Sequence, residues 1–125
     1  MSRKIVHSGS EDDVLPWVNG TGVAVVSGQL IKMLHTMGIA LADIAIAGTG
    51  SVAVGGVVSG VPKVSAAVFV QGEKLIYDLS ALAFDDSAAT PATGDVTGAA
   101  IAWVAGANAE TTCTIKLTPG NTTIT

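Results

Sequence analysis

The residues most suggestive of chemistry form a glycine-rich run, residues 48–53 (GTGSVA), with the spacing of a dinucleotide-binding fingerprint. That fingerprint works only when its glycines open a helix whose N-terminus points at a pyrophosphate. Here the chain continues with valines and glycines as far as Pro62, and glycine disfavours a helix interior by about 1 kcal/mol relative to alanine. The run therefore predicts a turn followed by a strand, and no nucleotide cofactor.

The other candidates for catalysis or metal binding stand alone. The two histidines, His7 and His35, have no second histidine or cysteine at ligand spacing, and the acidic pairs at 12–13 and 85–86 fall in predicted loops. A calcium loop would need several spaced oxygen donors and a bidentate glutamate. No serine stands in a G-x-S-x-G turn. We therefore expect no catalytic residue, no metal site and no cofactor.

One lysine and one cysteine need their own interpretation. Lys63, in the run VPKV, invites comparison with the modified lysine of a carrier domain, but the neighbouring acidic residue or methionine expected there is missing. We expect a solvated or salt-bridged lysine instead. The single cysteine, Cys113, excludes an intrachain disulfide, and its strand-like surroundings predict a small buried side chain rather than a reactive thiol.

The composition points to surfaces rather than to a pocket. Apolar residues make up 49% of the 125 residues and charged residues 13%, about half the usual charged share. Such a chain exposes apolar area when alone, which predicts a homo-oligomer or a subunit of a larger assembly. The net charge of −4 and six scattered basic residues argue against nucleic acid. The apolar stretches are too short for a membrane helix, so no membrane partner is expected.

Short apolar runs separated by glycines predict an all-β fold with at most one or two short helices, arranged as a small β-barrel or β-sandwich. Helices at 29–37 and 38–47 are the alternative, and strands are favoured because glycines shorten both runs. Residues 79–95 are expected to form a surface loop or hairpin tip. Residues 111–117 predict the last strand, because their polarity alternates from 112 onward. We expect an extended arm at 1–13, one β-rich domain at 14–118 and a C-terminal tail at 119–125.

Two short motifs and the order of the elements resemble the small phage capsid cement (decoration) proteins of the DUF2190 type. The motifs are residues 60–63 (GVPK) and residues 71–78 (QGEKLIYD), and the resemblance extends over residues 14–117. Glu73 stands where the family commonly has aspartate. Asp78 directly follows Tyr77, where the family has a further aromatic residue.

The resemblance implies a structural protein without enzymatic activity. It would be made in the host cytoplasm and bind the outer surface of the phage head, clamping neighbouring major capsid protein subunits. It also implies a homo-oligomer, a trimer rather than a dimer.

The arm would add backbone hydrogen bonds to a capsid-protein strand. The resemblance thus assigns capsid binding to Arg3, Lys4, Ile5, Val6 and His7, with Trp17 as a candidate interface anchor. Trp103 is either a second anchor or part of the core. The alternative function is a ligand- or carbohydrate-binding β-module of a phage tail or fibre, which would need an exposed aromatic platform.

Overall fold

The computed structural model describes residues 14–33 and 35–125, which form ten β-strands and no helix. The strands are β1 (Val14–Val18), β2 (Leu30–Lys32), β3 (Met37–Ala40), β4 (Thr49–Ala53), β5 (Gly56–Pro62), β6 (Lys74–Asp78), β7 (Ala83–Asp85), β8 (Val96–Ala102), β9 (Thr112–Leu117) and β10 (Thr123–Ile124). The all-β prediction is confirmed, and the arm with its five candidate residues, Arg3 to His7, lies outside the described residues.

The first four strands form a small antiparallel sheet in the order β1-β4-β3-β2. The glycine-rich run forms a strand, as predicted, but β4 begins at Thr49, so the turn expected at the start of the run lies before it. Val52 of this strand is fully buried, and Gly50 allows close packing because a Cβ there would stand 2.5 Å from Ile44. The sheet has its own core, formed by Val25, Ile31, Ala40, Ile44, Val52 and Val54.

The remaining strands form a larger antiparallel sheet in the order β5-β9-β8-β6-β7, with β10 paired to β8. Strand β9 alternates as predicted, with Cys113, Ile115 and Leu117 buried. A parallel bridge between Lys63 and Phe84 joins the end of β5 to β7. Two antiparallel sheets with separate cores are consistent with a small β sandwich.

Strand β3 serves both cores, since all four of its residues are buried. Met37 and Ile39 belong to the core of the large sheet, whereas Ala40 belongs to the core of the small sheet. A Cβ at Gly38 would collide with Val52 of the neighbouring strand β4, so the chain needs glycine at this position. Strand β3 therefore contributes to both cores, and Leu30 of β2 also packs against the core of the large sheet.

The prediction of a surface loop or hairpin tip at 79–95 fits residues 79–82, which are the turn between β6 and β7, but is wrong for residues 83–85, which form β7. Phe84 is fully buried and packs edge-to-face on Tyr77, with ring centroids 5.3 Å apart. The polar residues around β7 make turns. Asp78 accepts hydrogen bonds from the Ser80 hydroxyl and the amides of Ser80 and Ala81, and these bonds lower its pKa. A three-residue strand between such turns shows no periodicity in the sequence.

The C-terminal residues are extended and continue the large sheet. Thr123 and Ile124 pair with Thr97 and Val96 of β8, and the Thr125 amide donates to the Asp95 carbonyl (3.0 Å). Gly98 makes room for this pairing. Its φ is +82°, and a Cβ there would collide with the carbonyl oxygen of Asn121.

Gly98→Ala should therefore displace the C-terminal strand. The matched control is Gly72→Ala, because Gly72 has the same kind of backbone (φ +85°) with nothing near its missing Cβ. Both variants carry the strain of a left-handed alanine. We expect Gly98→Ala to lower the free energy of unfolding by about 1–3 kcal/mol more than the control, in urea titrations. Equal losses would contradict close packing at Gly98.

Candidate interaction surfaces

The described residues contain no group of three or more His, Cys, Asp or Glu side chains placed to hold a metal ion. Within the same residues, no helix has the length and apolar character needed to cross a membrane. The candidates described below are the exposed faces and two buried groups, Cys113 and Lys63.

Cys113 is a buried core residue, as the sequence predicts. Its side chain is 9% exposed and lies 3.6 Å from the carbonyl oxygen of Val61. Burial raises the pKa of the thiol to about 11, although the nearby charge of Lys63 acts in the opposite direction. Because the thiolate is the reactive form, this position is unreactive near neutral pH.

The rate of alkylation measures the reactivity of the Cys113 thiol directly. With its pKa at about 11, only about one thiol in a thousand is ionised at pH 8, against roughly a tenth in the unfolded chain. We expect iodoacetamide to modify the folded protein about a hundredfold more slowly than the same protein in concentrated urea. Similar rates in the two states would show that Cys113 is accessible.

Lys63 is neither solvated nor salt-bridged, and that prediction is wrong. The residue is 4% exposed, and its Nζ donates to the carbonyl oxygens of Val64 (3.0 Å), Ser65 (3.3 Å) and Glu110 (3.3 Å). The ammonium also lies 5.4 Å from the centre of the Phe69 ring. Val64 and Ser65 follow Lys63 directly in the chain, but Glu110 is 47 residues away, so the sequence around Lys63 holds no sign of this third acceptor. Lys63 joins the end of β5 to the loop before β9.

The predicted excess of exposed apolar surface is present. Fourteen large apolar side chains among the described residues are exposed, and Val18, Val23, Ile46, Val68, Val70 and Leu82 are each more than half exposed. They lie mainly on the outer face of the large sheet, at one corner of the small sheet and beside a cleft between the sheets.

The outer face of the large sheet carries a cross-strand row. Val57 of β5 pairs with Lys116 of β9, which pairs with Ile101 of β8, which pairs with Lys74 of β6. Trp103 follows β8 directly and is 44% exposed, and the Nζ of Lys116 lies 5.2 Å from the centre of its ring. We call these five residues the Trp103 face. The alternative that Trp103 belongs to the core is therefore wrong.

A two-stranded extension lies beside this face. Phe69 and Gly106 form an antiparallel bridge with hydrogen bonds of 2.8 and 3.1 Å. Phe69 points into the core, so Val68 and Val70 on either side of it are exposed, at 53% and 69%. The side-chain amide of Gln71 donates to the Trp103 carbonyl (3.1 Å), which places Val70 near Trp103.

The corner of the small sheet depends on Asn19, whose role the sequence analysis missed. The turn at Asn19 and Gly20 is built around a buried Asn19 side chain, 1% exposed. Its amide donates to the Val23 carbonyl (2.8 Å), and its oxygen accepts from the Thr21 hydroxyl (2.6 Å). These bonds hold the corner while Val18 and Val23 remain exposed.

Trp17 is half-buried on β1. It packs against the core of the small sheet and also lines an open groove of about 600 Å³. The groove includes Lys32 and Met33 from the end of β2 and Ile124 from β10. Trp17 thus lies where the two sheets meet, on an edge strand whose first residue, Val14, is joined to the arm.

A smaller cleft of about 370 Å³ lies between the sheets, lined by Leu30, Pro62, Tyr77 and Leu82 among others. Leu82 is 60% exposed in a left-handed backbone conformation, with φ +53°. An aromatic platform is not supported here, since Tyr77, Phe69 and Phe84 are all at most 5% exposed. A carbohydrate-binding module would need such a platform.

Comparison with known proteins gives one match. The family model described as phage cement protein matches residues 9–117. No curated protein and no solved structure matches the chain.

Proposed function

We propose, because this chain belongs to the phage cement protein family, that it binds the outer surface of the assembled phage head and clamps neighbouring major capsid protein subunits together. The family is one of capsid-stabilising structural proteins of the virion. The observation that carries the proposal is the family match over residues 9–117, which includes most of the described strands. The exposed apolar faces support it, because surfaces of this kind are typical of subunits that bind partners.

The clamp works by multivalency. A homotrimer would engage several capsid subunits at once, so that modest individual contacts add up to strong overall binding. The low content of charged residues, 13%, is in keeping with a protein that buries part of its surface against other subunits.

The arm and Trp17 are the proposed capsid contacts. Strand β1 is an edge strand, and the arm with Arg3, Lys4, Ile5, Val6 and His7 leads directly into it. Such an arm binds a capsid strand by β-augmentation, with backbone hydrogen bonds for affinity and side chains for specificity. Trp17 would supply an apolar anchor at the groove, since exposed aromatic residues dominate many interfaces.

Occupancy on purified heads that lack the protein tests this function. Deletion of residues 2–13 should reduce occupancy at equal protein concentration by about tenfold or more, because each subunit loses one of its contacts. A variant with glycine and serine at positions 3–7 keeps the length of the arm and should lose a similar amount.

The control is the free energy of unfolding, which should remain near that of the unaltered protein in both variants. Undiminished occupancy would disprove capsid binding by the arm. Failure of the unaltered protein to bind heads would disprove the proposed function itself.

A further inference from the structure

We infer, on the premise of the proposed function that the protein assembles with itself, that Glu11, Asp12 and Asp13 of one copy bind the Trp103 face of a second copy at Lys74 and Lys116. The contact would use the end of the arm nearest β1. It would leave Arg3–His7 available for the capsid.

The first observation concerns the carboxylates. The described residues include seven acidic side chains, and each accepts a hydrogen bond from a backbone amide of its own chain. Glu73, for example, accepts from the amides of Val70 (2.8 Å) and Ser87 (2.6 Å), and Asp95 from those of Leu79 (3.0 Å) and Ala92 (2.9 Å). These carboxylates are engaged in organising turns. The other three acidic residues of the sequence are Glu11, Asp12 and Asp13.

The second observation concerns the lysines. Of the four in the described residues, Lys63 donates to three carbonyl groups and Lys32 donates to the Gly94 carbonyl (2.8 Å). The other two, Lys74 and Lys116, both lie on the Trp103 face, on either side of Ile101. Glu73 is the acidic neighbour of Lys74 in sequence, but its two oxygens are taken by backbone amides. Although the chain as a whole carries a net charge of −4, two of its lysines thus lie together on one apolar face.

The distance between the two lysines matches the length of the three-residue acidic segment. Lys74 and Lys116 are two strand spacings apart, which is roughly 10 Å. An extended segment of three residues also covers about 10 Å. Residues 11–13 directly precede Val14, the first residue of edge strand β1.

The apolar residues complete the match. Docking of residues 11–13 brings the partner's Val14, which is 38% exposed, towards Ile101 and Trp103. Lys116 is held over the Trp103 ring, which fixes its ammonium at the face. A wholly apolar partner would bury two ammonium groups without acceptors, which is unfavourable. The partner therefore has to supply carboxylates next to an apolar residue, as residues 11–14 do.

The contact joins two different surfaces, so it is head-to-tail. Interfaces of this kind generate closed rings when the rotations from each copy to the next add up to a full turn. The proposed trimer would then need no separate symmetric interface.

Sedimentation of the full-length chain at several concentrations and salt levels tests the inference. Lys74→Glu with Lys116→Glu should weaken self-association at least tenfold, and so should Glu11→Lys with Asp12→Lys and Asp13→Lys. The five changes combined should restore association to within about threefold of the original. Raising the salt concentration should weaken the self-association of the unaltered protein. It should have less effect on the self-association of the variant with Lys74→Ala and Lys116→Ala. The control, Ala88→Glu with Thr93→Glu, shifts the net charge as that alanine pair does, at exposed positions outside the Trp103 face, and should leave association unchanged.

Three outcomes would overturn the inference. They are a monomeric unaltered protein at every concentration, lysine variants that associate normally, or charge reversals that do not rescue each other. Lysine variants that still associate but no longer bind heads would place the lysines against the capsid instead. Head binding by the unaltered protein is measured in parallel, so the inference can fail while the proposed function stands.

Discussion

Replacement of Phe84 by alanine should lower the free energy of unfolding by about 3–5 kcal/mol, because the ring is fully buried. Phe84 packs on Tyr77 within the large core, and its carbonyl accepts from the Val64 amide (2.9 Å). The alanine variant leaves a cavity next to the bridge that joins β5 to β7. Urea denaturation followed by tryptophan fluorescence measures the loss.

Leu82→Ala is the matched control for Phe84→Ala. Leu82 lies two residues away and is 60% exposed, so its truncation should change the unfolding free energy by less than about 1 kcal/mol. If Phe84→Ala were as mild as this control, residues 79–95 would behave as the surface loop that the sequence suggested.

Lys63→Met should destabilise the protein by about 2–3 kcal/mol. Methionine fills similar space but removes the donor of the Glu110 carbonyl. The carbonyl groups of Val64 and Ser65 lose their second donor and keep the backbone amides of Ala67 and Ala109. Replacing both partners of a buried polar contact can be harmless, but here only one partner is removed. The measurement is again urea denaturation.

Lys116→Met is the control, because Lys116 is exposed and its loss should change stability by about 0.5 kcal/mol or less. A Lys63→Met variant as stable as the unaltered protein would show that the Glu110 carbonyl finds another donor. The role assigned to the ammonium would then be wrong.

The sequence predicts well those elements whose signal is local. Strand β9 was found because six residues alternate, and β4 because glycines rule out the helix that a dinucleotide site needs. The family resemblance also depends on local motifs at residues 60–63 and 71–78, and the family match confirms it.

The features that the sequence analysis did not predict depend on contacts between residues far apart in the chain. The acceptors of Lys63 include Glu110, 47 residues away, and the buried position of Phe84 depends on Tyr77 and on the bridge to Lys63. Trp103 follows Ile101 by two residues with the buried Ala102 between them, so strand alternation places it on the same outer face as Ile101. The Trp103 face itself exists only because three separate pairings place Val57, Lys116, Ile101 and Lys74 in one row.

Strand β3 has a mechanical consequence. It is buried on both sides, with Met37 and Ile39 in one core and Ala40 in the other. Tension that enters through the arm at Val14 reaches β3 after crossing only β4. Separating the small sheet from the large sheet would therefore expose the large core to solvent. We expect the two sheets to unfold together under force, as one cooperative unit.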